Sequence, residues 1–390
     1  MFFDKERRVI PAQESTLADL PVWQGKDQKE SDVLKKFQGC LLGGAAGDAL
    51  GAPVEFIRRA SIIARFGPQG IQNYAPAYGG IGTITDDTQM TLFTAEGLLE
   101  ALAGMKPDKA PSVERSVGQA YLRWLLTQGQ KPRMEIRRDS WLFRQDALHH
   151  QRAPGNTCIS ALIAMKHPEE FADNDSKGCG GVMRAAPAGL VAWALGSVRD
   201  VFETGCNLAA LTHGHPTGIL PAGVLAVLIQ ALVEGATLKE GLHVAKAILR
   251  EKPQHEETLG ALEAAERLAI SALSPHEAIA QLGQAWVAEE ALAISVYCAL
   301  VAPTFREGVI LSVNHDGDSD STGSITGNLL GALYGVQAIP SEWLEPLELR
   351  DTITEMATDL YMSRYWNAGE SGDAGANREI AEAVRQKYSG

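Results

Sequence analysis

Two short segments of the chain concentrate oxygen atoms that a hard cation would accept. Asn314-His315-Asp316-Gly317-Asp318-Ser319-Asp320-Ser321-Thr322-Gly323 holds three carboxylates and several hydroxyls in ten residues, with no Lys or Arg. Carboxylates that close repel, and each raises its neighbour's pKa. Either water solvates the cluster as a turn, or a cation sits among the oxygens. The second segment, Gly82-Thr83-Ile84-Thr85-Asp86-Asp87-Thr88, leads into the apolar run MTLFTAEGLLEALAG, which predicts a buried helix. Asp86 and Asp87 then stand at a helix N-terminus, where one Asp would simply cap the helix or favour its dipole. Two adjacent Asp flanked by threonines, matched by a second such cluster, point instead to one or two cations of the Mg²⁺ or Mn²⁺ type, which prefer all-oxygen surroundings. An EF-hand is excluded. Asp316, Asp318 and Asp320 fit its first positions, but Ser321 and Gly327 stand where Gly and Glu are required.

Three further segments carry weaker signals. Ser176-Lys177-Gly178-Cys179-Gly180-Gly181-Val182-Met183-Arg184 places three glycines in four residues, a loop able to aim backbone N–H groups at an anion. It lacks the Gly-Lys-Ser/Thr ending of a P-loop and the spacing of a dinucleotide fingerprint. No base is placed beside Cys179 by the sequence, so a small residue in a tight loop is its expected role. Thr212-His213-Gly214-His215-Pro216 contains His-x-His without a supporting HExxH or cysteine pair, which favours a hydrogen-bonding histidine over a zinc ligand. Residues 130–156 carry six Lys/Arg against three acids, a solvated loop or a positive rim for an anionic substrate.

The elements that must position these residues are helices. SVGQAYLRWLLTQ, GVLAVLIQALVEG, GLHVAKAILRE, TLGALEAAERLAIS and EEALAISVYCALVA all repeat apolar residues at helical spacing, and alternating strand patterns are scarce. The expected fold is all-α with long functional loops and no repeat of fixed period. Glycines recur every fourth residue at Gly39, Gly43, Gly47 and Gly51, and again at Gly323, Gly327, Gly331 and Gly335. Each costs a helix about 1 kcal/mol relative to alanine. A stripe without side chains lets another backbone approach closely, which places both helices deep in the protein. The folded core is expected to span residues 31–366, with Ser31 as first N-cap. Residues 1–30, which include Trp23, would form an extension, and 367–390 a linker and short terminal helix.

Composition bounds the remaining choices. The chain has 390 residues, 45% hydrophobic and 21% charged, as a soluble globular protein has. Its net charge of −13 argues against a general affinity for nucleic-acid backbone. Five cysteines without a CxxC suggest a reducing compartment, and the early charges of MFFDKERRVIPAQE do not make a secretory signal, so a cytoplasmic location is expected. TGILPAGVLAVLIQALVEG, interrupted by Pro221 and Gln230, reads as a core helix and not a membrane span.

Taken in order, GCLLGGAAGDALGAPVEF, GGIGTITDDTQM, RAPGNT, SKGCGGVMRAAP, LTHGHPTG and DGDSDSTGSITGNLLGALYG resemble the ADP-ribosylglycohydrolase family, which includes the enzyme that reactivates dinitrogenase reductase. The resemblance spans residues 39 to 335. It implies an all-helical fold with a dinuclear metal cleft, holding two Mg²⁺ or Mn²⁺. It further implies hydrolysis of the bond between ribose C1″ of ADP-ribose and a modified protein side chain, often arginine, by water attack. Carried over by position, it assigns metal ligation to Thr85, Asp86, Asp87, Asp318, Asp320 and Ser321. Asp320 or Glu55 would handle protons. Ser176, Lys177, Gly178, Cys179, Gly180 and Gly181 would hold the phosphates and distal ribose, with His213 near the ligand. Some members carry Asn where this chain has Cys179. A second expectation is of a different class: an immunity protein that occludes an ADP-ribosyltransferase toxin through residues 1–30, with Trp23 as anchor.

Overall fold

The computed structural model describes residues 29–104, 112–366 and 374–389, and among them the regular structure is helical. Two isolated bridges, Ala77 with Gly80 and Gly178 with Val287, are the only β pairings among the described residues. The proposed arm with Trp23 lies outside the described residues. Five helices position the site and are numbered here in chain order: α1 Glu30–Gly51, α2 Asp86–Ala103, α3 Val113–Thr127, α4 Pro216–Val233 and α5 Ser319–Tyr334. The first helix begins two residues earlier than an N-cap at Ser31 would place it. Lys29 is the N-cap and makes no side-chain cap bond, so the expected capping role of Ser31 is not realised.

The two glycine stripes meet. α1 and α5 cross antiparallel, so that Gly39 faces Gly331, Gly43 faces Gly327 and Gly47 faces Gly323. A Cβ at Gly43 would lie 2.5 Å from the Gly327 carbonyl oxygen, and one at Gly51 would lie 2.5 Å from the Asp320 nitrogen. Glycine is therefore required here by backbone approach, not by dihedral freedom. Asn328 crosses the same interface, donating to the Cys40 carbonyl at 2.8 Å. The consequence for function is geometric. The C-terminal end of α1 is pressed against the N-terminal end of α5, which brings Asp48 and the turn carrying Glu55 to the start of the acidic stretch.

α4 is apolar on all sides, and 94% of its length is buried in the protein, which explains a hydropathy that by length and composition would suit a membrane span. The terminal helix, Ala374–Tyr388, packs on the core: the Tyr388 hydroxyl donates to Asp359 at 2.8 Å, and Lys387 reaches the same carboxylate at 2.7 Å.

Candidate metal centre and ligand cleft

Three chain segments converge at one acidic cleft. The first is the start of α2. Thr85 is its N-cap, accepting from the Asp87 nitrogen at 3.3 Å. Asp86 donates its own N–H to the Arg152 carbonyl at 3.1 Å, and its carboxylate accepts from the Gly155 nitrogen at 3.2 Å. The second segment is the start of α5. Asp318 is the N-cap and accepts from the Ser321 nitrogen at 3.3 Å, while Asp320 accepts from the same nitrogen at 3.1 Å. The third is the turn after α1, with Glu55. Carboxylate oxygens of Glu55, Asp318 and Asp320 lie within 4.8 Å of one another, and all three residues are buried. Asp86 and Asp87 are buried against this triad.

The preceding residues of the acidic stretch are scaffold. Asn314 bonds both backbone groups of Ile71, at 2.8 and 2.9 Å. His315 contacts the Thr322 hydroxyl at 2.9 Å, and Asp316 accepts from the Arg59 nitrogen at 2.6 Å. Gly317 turns the chain at φ 124°, where a side chain would strike the Gln284 carbonyl. That carbonyl accepts from the Asp318 nitrogen at 2.9 Å, fixing the start of α5.

Burial raises the proton affinity of the whole group. Burial first, then Asp318, Asp86 and Asp48, push Glu55 up to about 9. Asp86, Asp87 and Asp320 are likewise raised well above the carboxylate range, by burial and then by neighbouring acids. No Lys, Arg or His among the described residues forms an ion pair with any of the five. Glu55 Oε2 and Asp87 Oδ2 are buried without a hydrogen-bond partner. Orphaned oxygens of this kind cost folding energy unless a ligand satisfies them. An all-oxygen donor set with two orphans fits a divalent cation of the magnesium type.

The glycine loop closes another side of the cleft. Cys179 Sγ donates to Asp318 Oδ2 at 2.8 Å and lies 3.6 Å from the Ser321 hydroxyl, so it joins loop to acid cluster. Burial, and then Asp318 and Asp87, raise its thiol far above the usual range, which suits a packed donor and not a nucleophile. Ser176 accepts from the Gly178 nitrogen at 3.2 Å and contacts the Thr157 hydroxyl at 3.0 Å. Lys177 differs from its expected place at a phosphate: its ammonium pairs with Glu257 at 2.6 Å on the surface. His213 lies under the loop. A Cβ on Gly178 would stand 3.3 Å from His213 Nε2, and one on Gly180 would stand 3.2 Å from Cε1. Its Nδ1 contacts the Thr212 hydroxyl at 2.8 Å, and burial followed by Arg184 brings its pKa down to about 3, so the ring is neutral. The second histidine, His215, caps α4 through Nδ1 at 3.0 Å from the Thr217 nitrogen.

Sequence reading missed two positioning residues. Asp48 accepts from the Thr85 nitrogen at 3.0 Å, from the Thr88 nitrogen at 3.1 Å and from the Thr88 hydroxyl, so a carboxylate on α1 caps α2. Burial, offset by these bonds, lifts it to about 6. Its only sequence signal is a lone acid within a run of glycine and alanine. Arg184 is buried, donates to the Thr212 hydroxyl at 2.6 Å and to the Leu208 carbonyl at 3.3 Å, and lies 4.3 Å from the Tyr121 ring centre. It holds the His213 segment in place. Two arginines of the basic stretch from 130 to 156 are paired, Arg152 with Glu348 at 3.2 Å and Arg137 with Asp139 at 2.7 Å.

An all-helical scaffold whose helix starts converge on an oxygen-lined acidic cleft, with a glycine loop beside it, defines the class. A family model described as ADP-ribosylglycohydrolase matches residues 29–369, and the chain belongs to that family. It is 27% identical over 320 residues to the ADP-ribosyl-[dinitrogen reductase] glycohydrolase of Rhodospirillum rubrum, covering 80% of this chain and 90% of that one. It is 24% identical over 353 residues to the ADP-ribosylarginine hydrolase Tri1 of Serratia proteamaculans, covering 85% and 80% respectively. A solved structure titled ADP-ribosylglycohydrolase-related protein complex superposes with a TM-score of 0.61 at 26% identity, over 86% of this chain and 99% of that chain.

Proposed function

We propose that this protein hydrolyses the bond between ribose C1″ of ADP-ribose and a modified protein side chain, arginine foremost, with the help of two divalent cations. The observation that carries the reading is the set of five buried carboxylates with no counter-charge among the described residues and two orphaned oxygens. Asp86, Asp87, Asp318 and Asp320 would hold the cations, with Thr85 and Ser321 completing the oxygen set and Glu55 beside them. When bound, the cations neutralise the carboxylates and supply Lewis acidity toward water and ribose hydroxyls.

The protein's own groups do the rest. The carboxylates that face C1″ stabilise the positive charge that develops there as the glycosidic bond lengthens. Glu55, beside the triad of acids, would deliver a proton to the departing nitrogen. Asp320 receives the proton of the attacking water. Asp48 keeps the Thr85–Thr88 turn in register with α5, so the acids from both helix starts stay aimed at one point. The Gly178–Gly181 backbone, packed on the neutral His213 ring, would offer N–H groups to a diphosphate beside Ser176.

The direct test is incubation with ADP-ribosyl-arginine and ADP-ribosyl-serine proteins, with Mg²⁺ or Mn²⁺ and then with EDTA. Release of ADP-ribose that EDTA stops supports the reading. Release unaffected by exhaustive chelation removes the metal requirement, and no release from either substrate removes the activity.

A further inference from the structure

Aromatic rings border the acidic cleft without being needed by the core. Phe56, the residue after Glu55, is 70% exposed, and its ring stacks on Trp286, which is 42% exposed, with centroids 5.9 Å apart and planes 18° from parallel. Trp286 belongs to the segment that builds the cleft. Two residues before it the Gln284 carbonyl holds the Asp318 nitrogen, and two residues after it the Ala288 nitrogen donates to the Lys177 carbonyl at 2.8 Å. By Asp86, the half-exposed Tyr78 lies with its ring centre 5.6 Å from the Arg152 guanidinium.

We infer that the Phe56–Trp286 pair is the surface on which the acceptor side chain lies, and that it selects arginine over serine. This rests on the hydrolase reading above. Position supports it. Phe56 directly follows Glu55, and Trp286 stands in the segment that joins the start of α5 to the glycine loop, so the stacked pair is anchored to two walls of the cleft. Adenine, the other flat group of the substrate, is separated from C1″ by a ribose, a diphosphate and a second ribose. Chemistry supports it as well: an exposed aromatic face accepts a flat cation. A guanidinium is planar and weakly hydrated and lies readily on an aromatic face, whereas a serine linkage presents nothing to stack.

The experiment compares kcat/KM for ADP-ribosyl-arginine and ADP-ribosyl-serine peptides of otherwise identical sequence, using the full chain with Mg²⁺. Wild type, Phe56→Ala, Trp286→Ala and Phe56→Tyr are measured, with thermal melts to confirm folding. Because Phe56 is mostly exposed and Trp286 partly so, the variants are expected to stay folded, with melting midpoints close to wild type. The arginine-to-serine ratio should fall roughly three- to tenfold in each alanine variant, through KM, and return in Phe56→Tyr. An unchanged ratio overturns the inference. So does an equal loss on both substrates, which would place the shared ADP-ribose on the rings, or a wild type that cleaves only the serine linkage. Those results require an active enzyme and leave the hydrolase reading standing. A wild type that cleaves neither substrate removes both.

Discussion

Helix α2 carries two groups of buried acids, one at each end, and they are built on opposite principles. Near its C-terminal end, Glu96 and Glu100 share Arg123, whose guanidinium lies 3.0 Å from the first and 2.8 Å from the second. Glu96 also accepts from the Leu142 nitrogen at 2.9 Å. Arg137 also approaches Glu100 at 3.7 Å, so two arginines face two glutamates and the group is satisfied from within. At the N-terminal end, Asp86 and Asp87 join Asp318, Asp320 and Glu55 with no cation paired to them among the described residues and two oxygens left without partners. The difference separates structure from function. A buried acid that serves the fold is satisfied from within, by an arginine or, as at Asp48, by donated hydrogen bonds, whereas buried acids left with orphaned oxygens mark where an external charge is to be received.

Replacing acids at the unpaired end should be the most damaging to activity and the least damaging to the fold. Asp86→Ala or Asp318→Ala should lower turnover of an ADP-ribosylated protein on the order of 10³-fold or more. The metal-free melting midpoint should hold or rise, because a repelling charge has gone. Retained turnover in either variant would break the comparison. At the paired end the outcome inverts. Arg123→Ala leaves two buried acids uncompensated and should cost about 3–5 kcal/mol in a denaturant titration, with turnover per folded molecule unchanged.

Metal and pH sharpen the same contrast. Glu55 has a folded-state pKa of about 9, above the unfolded value, so the folded form binds the extra proton. Stability of the metal-free protein should therefore be greatest in acid and fall as pH rises from the ordinary glutamate range toward 9. Mg²⁺ should reverse this, adding about 2.7 kcal/mol at a hundredfold excess over its Kd, with proton release visible as buffer-dependent binding heat. A metal-free midpoint that rises with pH over that range would contradict the assignment. The smallest effect is expected at Asp48. Asp48→Asn keeps the shape but weakens the grip on the Thr85–Thr88 turn, and should lower metal affinity by roughly 10–100-fold without loss of fold.

Much of this was legible in the chain. The all-α class follows from apolar spacing, and the helix starts at Asp86 and Ser319 follow from acids and hydroxyls preceding apolar runs. The two glycine stripes foretold a close helix pair, because only a backbone contact compensates so many glycines. Other features could not be read locally. Asp48 looks like an interruption of a core helix until α2 is seen to start against it. Lys177 looks like a phosphate ligand until Glu257, eighty residues away, takes it. Within the basic stretch nothing signals that Arg152 is held by Glu348, from a distant part of the chain.

The sequence by itself determined which residues have the chemistry, since carboxylates, hydroxyls and glycines carry their ligand and steric properties wherever they stand. Tertiary structure decided which of them act together. Asp316 and Asp318 are two residues apart, yet one binds a backbone nitrogen and the other faces the cleft, because the turn at Gly317 separates their directions. Whether an acid is paired depends on what folding packs against it, and that partner comes from a part of the chain that local spacing does not encode.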